Sequence, residues 1–67
     1  MQETPATRKM VEKAGKVFGP VAGTLAVEVL KESADEKAFG EKYIEKLAKI
    51  TGNRTLVENI LRNNDNK

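Results

Sequence analysis

Val17-Phe-Gly-Pro-Val-Ala-Gly-Thr-Leu-Ala-Val27 is a run of eleven residues without a charge, in a 67-residue chain of which one-third is charged. Its Gly19-Pro20 pair marks where one helix stops and another starts. The fixed φ of proline suits the first helical position, and its missing N–H is one that this position does not use. From there Val21, Ala22, Leu25, Ala26, Val29 and Leu30 recur at i, i+1, i+4, i+5, i+8 and i+9, the spacing of a buried helix face. A helix over 20–32 follows, and its apolar face makes it the expected centre of the fold. The run is too short to cross a bilayer, which needs about 20 apolar residues, and Lys16 and Glu28 bound it on either side.

Upstream, Met10, Val11, Ala14, Val17 and Phe18 form the i, i+1, i+4, i+7, i+8 stripe of an amphipathic helix over 7–18, with Arg8, Lys9, Glu12, Lys13 and Lys16 outside it. Met1 to Ala6 reads as a flexible lead-in. Thr4-Pro5 offers an earlier start, with threonine as N-cap and proline at N1. Downstream, Ser33-Ala-Asp-Glu36 fits a capping box, with Asp35 as a competing N-cap two residues later. The helix it opens, over about 34–51, places Phe39, Tyr43, Leu47 and Ile50 at steps of four, four and three, widened by Ile44 and Ala48. Gly52-Asn53 is a stop signal, because glycine takes the left-handed conformation cheaply. A second capping box, Thr55-Leu-Val-Glu58, opens a short fourth helix with Leu56, Val57, Ile60 and Leu61 facing inward. Residues 63–67 read as a disordered polar tail. The expected fold is all-α: a single domain over 7–62, built as a compact bundle of three main helices plus a short C-terminal fourth.

A chain this short buries a smaller fraction of its surface than ordinary domains do. It has no cysteine for a disulfide and no histidine for the usual metal sites, so helix packing or self-association has to supply the stability. The absence of cysteine and of a basic, apolar secretory start fits a soluble cytoplasmic protein. The formal net charge is +2 and is evenly spread, with five basic and four acidic residues in 1–33 against seven and six in 34–67. No basic face emerges, and nucleic acid is not the expected partner. Nucleophilic and acid–base arrangements lack their usual members, and no base is placed beside Ser33 or Tyr43. The carboxylate pairs Asp35 with Glu36 and Glu41 with Glu45 read as cap and surface charge. No enzyme activity, cofactor or small-molecule ligand is expected.

The glycines carry more information. Gly15, Gly19 and Gly23 are spaced by four, which on one uninterrupted helix would align them into a groove for another backbone. Pro20 divides them between two helices. The plainer reading is a tight corner with one close crossing inside the domain. The sharper one is a dimer seam along Gly19, Pro20, Gly23, Thr24 and Val27. Gly40 is expected on the surface side of the third helix.

Phe18-Gly-Pro-Val-Ala-Gly-Thr-Leu-Ala-Val27, followed by Ala34, Asp35-Glu36 and Tyr43-Ile-Glu-Lys-Leu-Ala-Lys-Ile50, resembles a small uncharacterised helical module of bacterial signalling proteins. That module carries a Gly-Pro-(Ile/Val)-Ala box and a later Leu-Ala-x-x-(Ile/Leu) helix, and is appended to kinases, cyclases and response-regulator-like proteins. The resemblance covers about residues 7–62, and the turn before the third helix is longer here than in the family's pattern. It implies an accessory interaction or self-association module, and it carries no catalytic residues. The expected function is therefore a protein-interaction or dimerisation adaptor whose partner is another protein or a second copy. The alternatives are a DNA-binding helical regulator, with Lys46, Lys49, Arg54 and Arg62 on phosphates, and an immunity- or antitoxin-like protein.

Overall fold

Thr4 and Pro5 start the first helix. In a computed structural model that describes residues 1–62, α1 spans Pro5–Phe18, α2 Pro20–Glu32, α3 Glu36–Thr51 and α4 Arg54–Arg62, with no strand among the described residues. The chain is an all-α bundle, as its periodicity implied. The tail read for residues 63–67 lies outside the described residues.

The Thr4 hydroxyl accepts from the Thr7 N–H at 3.2 Å, and the Thr7 hydroxyl accepts from the Thr4 N–H at 2.8 Å. Threonine thus replaces the usual glutamate of a capping box, and α1 begins at Pro5 rather than Thr7. Thr7 is fully buried, and these bonds satisfy its hydroxyl. The segment before α1 is held as well. The Met1 ammonium donates to the carbonyls of Leu30 and Ser33 at 2.6 and 2.9 Å, and the Met1 side chain packs against the core.

These bonds help to finish α2, which ends without a glycine. The Ser33 hydroxyl donates to the Val29 carbonyl at 2.6 Å, and the Lys42 ammonium to the Glu32 carbonyl at 2.8 Å. Two cations thus sit at the helix end whose dipole attracts them. Ser33 closes α2 and does not open α3. That cap belongs to Asp35, whose carboxylate accepts from the Ala38 N–H at 2.8 Å, so α3 begins at Glu36 rather than Ala34. An anion at a helix N-terminus is the stronger cap, and the serine hydroxyl is already spent. Gly52 ends α3 at φ +72°, its N–H donating to Ala48 at 2.7 Å. The second expected box is also displaced: Asn53, not Thr55, accepts from the Leu56 N–H, at 3.1 Å.

The core joins Ala14 of α1, Ala22, Ala26 and Val29 of α2, Phe39, Tyr43, Ile44 and Leu47 of α3, and Val57 and Leu61 of α4. Both α1 and α3 pack against all three other helices, whereas α2 touches α1 and α3 but not α4. Of these two, α1 gives the buried core only Ala14 while α3 gives it Phe39, Tyr43, Ile44 and Leu47, so the centre of the bundle is α3, not α2. The bulky side chains stand on α3, and the two inward alanines of α2 let it lie close against them without enclosing them. The rings of Phe39 and Tyr43 lie tilted against each other one turn apart, with centroids 5.1 Å apart. The buried Tyr43 hydroxyl donates to the Ala22 carbonyl at 2.7 Å, which fixes α3 against α2.

Four residues expected inside are exposed: Val17, Val21, Ile50 and Leu56. Each lies in the first or last turn of its helix, where the bundle ends and fewer neighbouring turns remain to cover it. Gly40 departs the other way. It is buried, and a Cβ built on it would lie 3.5 Å from Met10 Cε. It faces α1 rather than solvent.

Gly15 is a helix-interior glycine whose added Cβ would meet nothing within 4 Å. Gly15→Ala should therefore stabilise the chain by about 1 kcal/mol, the full difference in helix propensity. For a domain this size that raises the thermal midpoint by about 4–8 °C. A thermal melt followed at the helical dichroism band checks it, and a lowered midpoint would refute it.

Candidate interaction surface

Gly19 is the single residue between α1 and α2, and it serves both. Its N–H donates to the Gly15 carbonyl at 3.0 Å, and its carbonyl accepts from the Ala22 N–H at 3.1 Å. Its φ of +80° is a conformation that suits glycine and strains other residues. With Pro20 fixing the next φ, the corner sets the direction of α2.

Successive helix residues turn by about 100°, so Pro20, Gly23, Thr24 and Val27 share the face opposite Ala22, Ala26 and Val29. Pro20 and Thr24 are exposed, Gly19 and Gly23 are half-buried, and Val27 is 53 % exposed. All five residues thus border one neutral strip that turns away from the core. A Cβ added at Gly23 would meet nothing within 4 Å, so among the described residues no other helix crosses closely there. The expected internal crossing is absent at that glycine. Val17 and Val21, 54 % and 43 % exposed, add apolar surface on either side of the corner. The periodicity had placed both in the core, and the only signal to the contrary was their position in terminal turns.

A second feature lies between α3 and α4, where Glu41, Lys42, Glu45, Arg54 and Arg62 line an open groove of about 320 Å³. It unites two of the four cations considered for phosphate contact with two carboxylates. Arg54 is also paired with Glu58 on its own helix, at 3.0 Å. Lys46 and Lys49 do not line this groove.

The two hydroxyls singled out in the sequence are spent on the backbone, Ser33 on Val29 and Tyr43 on Ala22. Burial pushes the Tyr43 hydroxyl up to about 12. Among the described residues no three His, Cys, Asp or Glu side chains cluster as a metal site, and no helix is long and apolar enough to cross a membrane. No family model, curated protein or solved structure matches the chain at a significant level.

Proposed function

We propose that this chain is a small cytoplasmic protein-interaction module, an adaptor within a bacterial regulatory or signalling system, and that it engages a protein through the solvent face of α2. The observation that carries the reading is the strip itself. Pro20, Gly23, Thr24 and Val27 form an uncharged surface, with open space above Gly23, on a chain whose other surfaces are rich in charge. Neutral patches with small residues let a partner backbone approach closely and cost little to desolvate. The resemblance to modules appended to bacterial signalling proteins points the same way. The α3–α4 groove lends little to a phosphate-binding reading, because Glu41 and Glu45 offset the arginines that a duplex would need.

A photo-reactive amino acid at Thr24, with the same group at exposed Lys49 as the control, tests this in the expressing cell. Protein adducts should form from position 24 and not from position 49. No adduct at 24, or equal labelling at both, would overturn the reading.

A further inference from the structure

We propose that the α-amino group of Met1 is a modification site, and that acylating it opens the α1–α2 hairpin at its free end. Gly19 closes that hairpin at one end, and Met1 clasps it at the other. The Met1 ammonium donates to the carbonyls of Leu30 and Ser33, 29 and 32 residues along the chain. The Leu30 carbonyl also takes the Ser33 N–H, but at 3.4 Å, so the ammonium at 2.6 Å is its short partner. Ser33 is only 5 % exposed, and water has little access to a carbonyl left behind there. The Met1 side chain packs against the core, so the clasp holds the residue by its polar and its apolar end.

An ammonium carries a charge and three N–H donors, whereas the amide made by acylation has no charge and one donor. A single N–H serves one of the two carbonyls and orphans the other. The attraction between the cation and the negative end of α2 is lost as well. The acyl group must in addition find room where the nitrogen now touches both carbonyls.

The donor class is an acyl thioester. The ammonium gives one proton to water and its nitrogen attacks the thioester carbonyl. The C–N bond forms as the C–S bond breaks, and the second proton leaves with the thiol. A docked ammonium has no free electron pair for this attack, so the reaction takes place before folding or during an opening of the clasp. Once formed, the amide keeps that end open. A residue joined ahead of Met1 acts in the same way, because it too turns the amine into an amide.

The sign of the effect separates a clasp from a free terminus. A positive charge ahead of a helix N-terminus is unfavourable, so removing an unengaged ammonium ahead of α1 would raise the thermal midpoint. Removing a clasped one lowers it.

The test compares the 67-residue chain carrying a free amine with its Nα-acetyl form, which keeps the Met1 side chain. Acetylation should lower the midpoint by about 4–8 °C. Amide exchange at Glu32 and Ser33, in the turn that the ammonium closes, should accelerate by a larger factor than exchange at Leu47 in the core of α3. On the unmodified chain, acetylation of Met1 by an N-hydroxysuccinimide ester, measured against exposed Lys49, should run about tenfold slower folded than in denaturant. An unchanged or raised midpoint would overturn the proposal, as would a fall in which Glu32 and Ser33 exchange no faster relative to Leu47. Should the acetylated chain not fold, the labelling decides: equal relative rates in the folded and unfolded chains would show that the amine is free.

Discussion

Phe39→Ala is expected to leave the chain largely unfolded at physiological temperature. Phe39 is fully buried on α3, which packs against all three other helices, and its ring lies tilted against that of Tyr43. Removing such a ring costs about 3–5 kcal/mol, part transfer free energy and part cavity. Below about 70 residues a single core rarely supplies more than about 3–5 kcal/mol in total. The loss is thus as large as the stability. Phe39→Leu, which keeps most of the volume, should cost less than about 1.5 kcal/mol and remain folded. Far-ultraviolet dichroism during a denaturant titration separates the two. A folded Phe39→Ala chain with a midpoint near that of the parent would show that the core does not depend on this ring.

The second large effect is set by pH. The Tyr43 hydroxyl ionises at about 12 in the folded chain, against 10.0 when free, because burial disfavours the phenolate. Its folded value is raised, so the stabilisation is complete below pH 10 and is lost as pH climbs from about 10 to about 12. At about 1.4 kcal/mol per pH unit this is a loss of about 2–3 kcal/mol, comparable with what so small a core supplies. Ionisation also removes the proton that the hydroxyl donates to Ala22. Tyr43→Phe should reverse its rank across this window. At neutral pH it is about 1 kcal/mol less stable, having lost one hydrogen bond. Near pH 12 it is the more stable of the two. Denaturant midpoints for both chains at pH 7, 10 and 12 give the comparison, and parallel curves would show that Tyr43 carries no alkaline penalty.

The two displaced caps share a cause. Ser33 and Thr55 each begin a capping box on paper, and neither caps a helix start. Two residues after the first and two before the second stand other residues able to cap, Asp35 and Asn53, so the local pattern offers two starts for each helix. Ser33 was taken out of contention by its bond to Val29. Gly40 was misread for a related reason, since a glycine shows no hydrophobicity by which to mark its face. Its burial depends on Met10, thirty residues away.

The features legible in the residues alone are local ones. Four helices, the Gly19-Pro20 corner, the Gly52 stop and the inward turn of Phe39, Tyr43, Ile44, Leu47, Val57 and Leu61 follow from backbone preferences and spacing within a few residues, whereas Ile50 and Leu56, on the same stripes, are exposed. Those forces act over one or two turns and need no partner. Helix assembly, by contrast, sets α3 rather than α2 at the centre and brings the Met1 ammonium and Lys42 to the end of α2. It likewise decided that Val17 and Val21 stay in solvent while Gly40 does not. These outcomes turn on which helices meet and where the bundle ends, because burial and hydrogen bonding between residues far apart in the chain depend on how its helices are arranged in space.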